Sequence, residues 1–454
     1  MKKVYLFWWL IVCLCIGVFG AEGKNTNTRF IVNEVSLGKV PPRIVIRNVQ
    51  VSPDGKRIVY VTRQGEKSLF VIVDGVESKK YDRIRLRRSI FSPDGKRLAY
   101  GAARTGNQFA VIDGVEGKEY NEIRAPVFSP DGKRVAYQAR RGEKWLIVVD
   151  GIEGKKYEEV DTPIFSFESK RLAYVAGQSG KGFVVVDNVE GRRYDIIEEV
   201  AFSPDSRKIA YVAGRGSQKQ FVVADNVEGK EYDSIFPAPV FSPDGKRVAY
   251  QARRGEKELV VVDGIEGKKY KRVEKLFFSP DSRKIAYVVL FADRRECVVL
   301  NGVEGRKYDF IVSWPVFSPN SERIAYWARE KDKAFAVVDG VEAKKCDELA
   351  IPIFSSDSKR LAYIAKHDNK WLVVVDGIEG KEYAGVSSFV FSPNSKRMAY
   401  TAKRDGKAFL NVDGFEVVEY DDITKLFFSP DSKRISFVAQ RGEGVIRVEV
   451  TIKE

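Results

Sequence analysis

The sequence predicts an all-β protein, a β-propeller built from eleven repeats of about 37 residues with four short strands each. One observation is the segment VFSPDGKRVAYQ at residues 127–138, because related copies of it occur along the whole chain. A second is their regular spacing, and a third is the apolar run that follows each copy. The copies begin at Val51, Phe91, Phe128, Phe165, Phe202, Phe241, Phe278, Phe317, Phe354, Phe391 and Phe428.

Each repeat contains explicit turn chemistry. In SPDG at residues 129–132, proline fixes φ at the first central position and glycine accepts a positive φ. We therefore expect a hairpin turn there, a second strand at residues 134–138 and a third strand at residues 145–149. The Asp-Gly pair at 150–151 is another tight-turn signal. Residues 153–160 are predicted to form the fourth strand, which leads into the next copy.

The apolar runs favour blade packing. Residues 146–149 (LIVV) and 183–186 (FVVV) contain no polar position, which is typical of strands buried on both faces. Gly, Pro and β-branched residues occur too densely for a helical repeat. Eleven blades exceed the usual four to eight. A single large ring and two fused rings of five and six blades are therefore both open.

The repeat motifs resemble a known family. FSPDGKRLAY at residues 91–100 and FSPDGKRVAY at residues 128–137, each followed by a VVVDG-type strand, resemble the TolB-like, WD-repeat-like propeller repeats of bacterial extracytoplasmic proteins. The resemblance covers roughly residues 44–440. It implies a propeller fold, but such propellers serve both as binding platforms and as companions of peptidase domains. The sequence shows no counterpart of the N-terminal α/β domain of TolB, so TolB's own role is not implied.

The first residues have the pattern of a secretory signal peptide. Lys2 and Lys3 precede a long apolar stretch, and small residues follow it. We expect residues 1–20 to be removed after Gly20, with an uncleaved membrane anchor as the alternative. Residues 21–29 are predicted to be a flexible N-terminal segment.

The repeat domain is predicted to span residues 30–454. Residues 30–35 and 43–49 resemble the last two strands of a repeat, whereas the final copy ends after its third strand. The two ends are therefore complementary. Pairing them would close the array and leave no exposed sheet edge.

The formal net charge is +14, and most of the excess lies in the first turns. Every first turn is followed by two basic residues, except that one of the two positions is the acidic Glu322. First and third turns emerge on one face of an up-and-down blade, so these residues are expected to form a basic ring that attracts anions or acidic partners. The alternative is pairing with acids of the third turns, such as Asp150 and Glu153, which would leave little net field. The candidate binding residues in this ring are Lys96, Arg97, Lys133, Arg134, Lys246 and Arg247.

The connections between second and third strands are predicted on the opposite face, and they vary most between repeats. Variation within a uniform repeat is where binding specificity can reside, although loop tips also tolerate change for no functional reason. The candidate binding residues in these connections are Arg140, Arg141, Arg253 and Arg254.

A tyrosine recurs at one position of the second strand. Such a column could stack on sugars or bases, but a fixed place in a buried strand favours packing against a neighbouring blade. The column comprises Tyr60, Tyr100, Tyr137, Tyr174, Tyr211, Tyr250, Tyr287, Tyr326, Tyr363 and Tyr400.

Catalytic chemistry has little support in the sequence. The one histidine, His367, is expected in a solvated surface turn, and neither a G-x-S-x-G elbow nor a D-x-D-x-D-G loop occurs. We predict no catalytic residue, no metal site and no cofactor. Cys297 and Cys346 are expected to be buried free thiols, with a disulfide as the alternative in an oxidising compartment.

These observations predict an exported, non-enzymatic scaffold, periplasmic or extracellular, whose loop faces bind an envelope or extracellular protein. The alternative is a binder of anionic polymers or envelope glycans through the basic ring, marked by steep salt dependence. A hydrolase-type enzyme would need channel carboxylates at non-repeating positions, whereas the acids here follow the repeat. No sequence-specific nucleic-acid binding is expected, and membrane contact only through an uncleaved signal segment.

Overall fold

A computed structural model describes most of the chain as β-structure. The predicted signal peptide, residues 21–28 and the predicted strand at residues 43–49 lie outside the described residues. Within the described ranges, all regular secondary structure is β-strand. The ranges are 29–39, 50–53, 57–64, 68–74, 76–86, 90–216, 219–350, 352–423, 426–442 and 444–453.

The strands form eleven antiparallel sheets in the described part of the chain, here called sheets 1 to 11 in chain order. Within sheets 1 to 10 the strands follow one another in the order of the sequence, as in a meander. In six of the eleven sheets the first strand is broken into two short pieces that both pair with the second strand. The central second and third strands contain the most buried residues.

The strand bounds are as follows, from first to fourth strand. Sheets 1 to 4 consist of Gln50–Val51, Ile58–Gln64, Ser68–Val73 and Val76–Glu77; Arg83–Arg85, Ala99–Arg104, Asn107–Ile112 and Val115–Glu116; Glu122–Ile123 with Val127–Phe128, Val135–Arg141, Lys144–Val149 and Ile152–Tyr157; and Glu159–Val160 with Ile164–Phe165, Leu172–Gln178, Lys181–Val186 and Val189–Glu190. Sheets 5 to 8 consist of Ile196–Phe202, Ile209–Arg215, Lys219–Ala224 and Val227–Glu228; Ser234–Ile235 with Val240–Phe241, Val248–Arg254, Lys257–Val262 and Ile265–Tyr270; Arg272–Phe278, Ile285–Leu290, Glu296–Leu300 and Val303–Glu304; and Phe310–Ile311 with Val316–Phe317, Ile324–Glu330, Lys333–Val338 and Val341–Glu342. Sheets 9 to 11 consist of Glu348–Leu349 with Ile353–Phe354, Leu361–His367, Lys370–Val375 and Ile378–Glu379; Gly385–Phe391, Met398–Arg404, Lys407–Val412 and Phe415–Tyr420; and Asp422–Ile423 with Phe427–Phe428, Arg434–Arg441, Gly444–Ile452 and Phe30–Lys39.

Successive sheets pack face to face through apolar side chains. At the junction of sheets 3 and 4, Ile147 of one sheet and Tyr174 and Phe183 of the next belong to one buried cluster. A comparable cluster joins each other pair of consecutive sheets, from sheets 1 and 2 to sheets 10 and 11. Four-stranded meanders stacked in chain order are the blades of a β-propeller. This packing explains why the central strands carry apolar residues on both faces.

The tyrosine column packs at these junctions, as predicted. Tyr100 is almost fully buried, and its ring meets that of Tyr81 in the preceding sheet edge to face at 6.3 Å between centroids. Tyr120 and Tyr137 repeat the contact at 6.4 Å. The side chain of Tyr60 lies outside the described residues.

The fourth strand was predicted incorrectly. Instead of one strand at 153–160, Ile152–Tyr157 closes sheet 3, whereas Glu159–Val160 opens sheet 4 and pairs with Leu172–Gln178. The chain bends at Glu158 between them. The reason is topological, because the chain must leave the last strand of one sheet to become the first strand of the next.

The two ends of the chain pair, as predicted. Phe30–Lys39 runs antiparallel to Gly444–Ile452, with Phe30 opposite Ile452. The N-terminal strand thereby supplies the fourth strand of sheet 11. The Tyr420 hydroxyl of sheet 10 donates a hydrogen bond to Glu34 Oε1 at 2.5 Å, so this strand makes the contact that fourth strands make elsewhere.

The first turns are held by a buried serine. The Ser129 hydroxyl donates to Asp131 Oδ1 at 2.6 Å and accepts from the Arg134 amide at 2.9 Å. The fourth residue of the first turn has a positive φ, and it is glycine at Gly132 (φ 71°) but serine at Ser169 (φ 64°). The serine adds a hydrogen bond, because its hydroxyl accepts from the Asp131 amide of the preceding sheet at 2.9 Å. First turns of neighbouring sheets are therefore tied together.

Candidate functional site

The first and third turns lie together at one end of the sheets, here called the turn face. Arg97, Arg134 and Arg247 donate from Nε to aspartates of the third turn in the same sheet, at 2.8, 3.1 and 2.9 Å. The partners are Asp113, Asp150 and Asp263. For these arginines the structure therefore has the pairing that the sequence left open against a free anion site.

The same arginines also contact the following sheet. Arg97 Nη1 donates to the Lys133 carbonyl, and its guanidinium lies 5.6 Å from the centroid of the Phe128 ring. Arg134 Nη1 donates to the Lys170 carbonyl at 3.2 Å. The second basic residue of a first turn therefore links its own sheet to the following sheet, and this link is here called the staple.

The first basic residue of these three turns remains open to solvent. The side chains of Lys96 and Lys246 are 80% exposed, with Nζ 3.9 Å from Asp94 and Asp244, and Lys133 is also exposed. Hydrogen bonds from the turn serines hold the pKa of these aspartates below its ordinary value. The aspartates therefore stay ionised and oppose the lysine charge in the same turn.

An exposed apolar residue recurs on the turn face, and the sequence analysis did not identify it. It follows the third-turn pair in sheets 1 to 9, is always valine or isoleucine, and is 70% to 75% exposed. The signal was available in the sequence, since β-branched residues follow the turn in DGVE, DGIE, DNVE and NGVE alike. The nine residues are Val76, Val115, Ile152, Val189, Val227, Ile265, Val303, Val341 and Ile378.

A repeated cluster, here called the junction clamp, joins the fourth strands to the preceding sheets. In it a glutamate of the fourth strand accepts hydrogen bonds from a tyrosine of the preceding sheet and, in most of the sheets, from an arginine that ends its own sheet's second strand; in sheets 4 and 7 the cation is Lys155 or Lys268 of the preceding sheet. Glu266 accepts from the Tyr232 hydroxyl at 3.0 Å and from Arg254 Nη1 and Nη2 at 3.1 and 3.0 Å. The bidentate geometry fits a guanidinium to a carboxylate.

The clamp recurs along the chain. Arg141 donates to both carboxylate oxygens of Glu153 at 3.0 and 2.8 Å, and the Tyr120 hydroxyl donates to Oε1 at 3.0 Å. The tyrosine–glutamate pairs are Tyr81–Glu116, Tyr120–Glu153, Tyr157–Glu190, Tyr194–Glu228, Tyr232–Glu266, Tyr270–Glu304, Tyr383–Glu416 and Tyr420–Glu34.

The clamp shifts the titration of its members in opposite directions. Hydrogen bonding from Arg254 holds the pKa of Glu266 below its ordinary value. Burial raises the pKa of Tyr232, and the Glu266 carboxylate adds to the effect. The clamp therefore holds an ionised glutamate against a neutral tyrosine. Two of the four predicted opposite-face residues, Arg141 and Arg254, are engaged in it.

The other two predicted residues differ from each other. Arg140 pairs with Glu122 at 3.3 Å and lies 5.8 Å from the centroid of the Trp145 ring. Arg253 is exposed and lies opposite Ser234 in the register of sheet 6. The sheets therefore place these two arginines three units apart and do not bring them into one site.

His367 was predicted incorrectly as a solvated turn residue. It ends the second strand of sheet 9, at the position that arginine occupies in other clamps, and its Nε2 lies 3.2 Å from Glu379 Oε1. Its side chain is only partly exposed. The reason is the strand register, in which His367 stands opposite Lys370 and its side chain reaches Glu379 of the fourth strand.

The two cysteines are buried and free. They belong to different apolar clusters, Cys297 between sheets 6 and 7 and Cys346 between sheets 8 and 9. Burial raises the pKa of each thiol to about 11. Free, protonated thiols are thus the form favoured here, as the sequence suggested.

Sheet 4 contains an open cavity of about 370 Å³. It lies beside Gly177 and Gly182, which stand directly opposite each other in neighbouring strands. Acidic side chains, including Glu159 and Asp161, contribute to its lining.

In the described ranges, no cluster of three or more His, Cys, Asp or Glu side chains could hold a metal ion. The same ranges contain no helix long and apolar enough to cross a membrane.

No protein-family model matches this sequence, and no curated protein matches it. Similar solved structures include a eukaryotic initiation factor, with a TM-score of 0.38 and 13% identity over 71% of this chain and 95% of that chain. The Dos1 propeller has a TM-score of 0.29 and 12% identity over 71% and 90%. The β-propeller domain of the Trilobed protease from Pyrococcus furiosus has a TM-score of 0.28 and 14% identity over 57% and 93%. At this similarity, no property of these proteins is transferred to the chain.

Proposed function

We propose that this protein is an exported, non-enzymatic β-propeller scaffold that binds an envelope or extracellular protein through its turn face. The observation that carries the proposal is the row of nine exposed valines and isoleucines at one position of successive sheets. Single exposed apolar residues are ordinary, whereas apolar residues gathered on one face mark interaction surfaces.

The charges of the turn face support a protein partner. The turn arginines are occupied by aspartates and carbonyl groups, so they contribute little net field. What remains exposed on this face is the apolar row and the lysines of the first turns. Apolar contacts with a polar surround are typical of protein interfaces, and a repeated surface can build affinity from many weak contacts.

We further propose that the eleven sheets form one ring of TolB-like blades. Two rings of five and six blades would interrupt packing after sheet 5 or sheet 6. Continuous apolar clusters join sheets 5 and 6 and sheets 6 and 7. The Tyr232–Glu266 and Tyr270–Glu304 contacts cross the same two junctions. The strand Phe30–Lys39, which completes sheet 11, would then lie where the ring closes.

The experiment is a pull-down from envelope extract with residues 21–454 as bait, at low and at high salt. The matched variant replaces Ile152, Val189 and Val227 by threonine, which keeps the β-branched shape but removes apolar surface. We expect the native protein to retain a discrete protein at both salt concentrations and the variant to lose it. Equal retention by both baits would contradict the proposal.

Binding of anionic polymers or envelope glycans is the second candidate function, and the exposure of Lys96 and Lys246 favours it. Here the bait would recover heterogeneous anionic material that high salt releases. Replacement of Lys96, Lys133 and Lys246 by glutamine would weaken that binding, whereas the threonine variant would not.

A further inference from the structure

The cavity in sheet 4 results from two missing side chains. Gly177 is the penultimate residue of the second strand and stands opposite Gly182 of the third strand. Neither has a Cβ, so an opening of about 370 Å³ remains beside them. This volume falls within the range of ordinary ligand sites, about 300 to 1,000 Å³. The opening lies near the connection between second and third strands, away from the turn face.

Sheet 3 shows what fills the equivalent place. The residues in register there are Arg140 and Trp145. Arg140 pairs with Glu122 of the first strand at 3.3 Å. The indole is flanked by Arg140 and by Arg124, whose guanidinium lies 4.7 Å from the ring centroid.

Sheet 9 repeats this arrangement with a lysine. Lys366 faces Trp371, and its Nζ lies 2.7 Å from Glu348 of the first strand. In both sheets a first-strand glutamate is neutralised by a cation of the same sheet. The cation also lies against a tryptophan ring, at 5.3 Å for Lys366.

Sheet 4 keeps the glutamate but lacks the cation. Glu159 stands opposite Gly177, as Glu122 stands opposite Arg140. Among the described residues, no basic side chain forms a salt bridge with Glu159 or with Asp161, which also lines the cavity. Glu159 and Asp161 are therefore the acidic residues of the cavity that form no salt bridge among the described residues.

The remaining acids of the cavity already have partners. Glu158 accepts from the Ser179 amide at 2.7 Å and from Gln178 at 3.0 Å. Asp195 accepts from Lys181 and, at 2.9 Å, from the Gly216 amide. The negative charge available to a ligand is therefore that of Glu159 and Asp161.

A backbone amide also faces this position. In sheets 5 and 6 the third-strand residue at the position of Gly182 accepts a hydrogen bond from the next sheet, as Gln220 does from the Ile235 amide at 2.8 Å. Glu258 accepts from the Val273 amide at 2.8 Å. The corresponding amide in the cavity is that of Ile197, and Gly182 has no side chain to offer it. A peptide ligand would bring both a cation and carbonyl acceptors.

We propose that the cavity beside Gly177 and Gly182 binds an arginine side chain of a peptide or protein ligand. The guanidinium takes the place that Arg140 occupies in sheet 3 and pairs with Glu159 and Asp161. A planar, permanently charged group suits paired carboxylates better than an ammonium group does. This site is separate from the turn face and does not depend on the function proposed for it.

The test is a titration of the folded protein with blocked arginine, N-acetyl-arginine methylamide, followed by calorimetry or NMR. Blocked citrulline is the neutral control ligand, because it has nearly the same shape without the charge. We expect saturable binding of the arginine probe, and roughly tenfold weaker binding of the citrulline probe. Equal binding of both probes, or no saturable signal up to the solubility limit, would overturn the proposal.

Three variants sharpen the test. Glu159→Gln should weaken arginine binding roughly tenfold, and Gly177→Arg should abolish it by supplying the cation internally, as in sheet 3. The exposed loop residue Glu143 provides the control, Glu143→Gln, which should bind as the native protein does. Full binding by Glu159→Gln would contradict the site even if Gly177→Arg failed to fold. The threonine variant of the turn face should bind the probe normally, which separates this site from the proposed function.

Discussion

Removal of the Glu266 carboxylate should destabilise the junction of sheets 5 and 6. Glu266 accepts from the buried Tyr232 hydroxyl at 3.0 Å and from both terminal nitrogens of Arg254. The Lys230 Nζ lies 3.4 Å from Glu266 Oε1. Glu266→Ala would leave the buried hydroxyl without this acceptor and Arg254 without its carboxylate. We predict that the free energy of unfolding falls by about 2 kcal/mol. Most of this loss comes from the hydrogen bond between the Tyr232 hydroxyl and the charged carboxylate, because an exposed ion pair such as that with Arg254 adds only ~0 to 1 kcal/mol.

The effect can be measured by thermal unfolding and by a double-mutant cycle with Tyr232→Phe. Because the unfolding entropy is about 2.1 cal/mol/K per residue, 2 kcal/mol in a chain of this size lowers Tm by only about 2 °C if the array unfolds in one transition. The cycle should give a coupling of roughly 1 kcal/mol between the two residues. Glu256→Gln in the exposed loop of the same sheet is the control and should change stability by less than about 0.5 kcal/mol.

The clamp also predicts a pH dependence. Arg254 lowers the pKa of Glu266 in the folded protein, so the carboxylate stabilises the fold above its unfolded pKa of about 4.3. This stabilisation is lost as pH falls through the lower folded pKa. The difference in Tm between native protein and Glu266→Gln should therefore shrink in acid. A difference that is unchanged in acid, or no coupling in the cycle, would refute the reasoning.

The remaining predictions concern the turn arginines, the chain ends and the thiols. Arg134→Gln should cost about 1 kcal/mol by calorimetry, because a contact to a third-turn aspartate and a carbonyl is lost, whereas Lys133→Gln should leave Tm unchanged; equal shifts would contradict the staple. Glu34→Gln should speed hydrogen exchange in the last strand of sheet 11, because Glu34 joins that sheet to sheet 10, and unchanged exchange would contradict this role. Cys297 and Cys346 should resist thiol reagents at neutral pH until the protein unfolds, because burial keeps them protonated; rapid labelling of the folded protein would show that they are accessible.

Local chemistry made the repeat predictable. The SPDG turns and the apolar central strands indicated the blades, and the complementary ends indicated that the two chain ends pair. The prediction of the fourth strand was wrong because residues 153–160 belong to two consecutive sheets. The local sequence pattern does not show where the chain passes from one sheet to the next. The glutamate and tyrosine of the junction clamp lie about 34 residues apart, as in Tyr232 and Glu266. They meet only when consecutive sheets pack against each other, so no local sequence pattern indicates the contact.

The candidate sites were less predictable for the same reason. Arg97 and Lys96 are neighbours in sequence and equally basic, yet one is a staple between sheets and the other extends into solvent. The cavity depends on strand register, since Gly177 and Gly182 are unremarkable until they face each other. The exposed valines and isoleucines were visible in the sequence, but the same residue types dominate the core, and only burial separates them.

The most direct test of the proposed function is a hydrogen-exchange footprint of the native protein with and without the partner that it recovers. We predict protection of the third turns and the residues that follow them, including Val115, Ile152 and Val189. Protection confined to the connections between second and third strands, near Arg140 and Arg253, would contradict the turn face as the site that binds the partner.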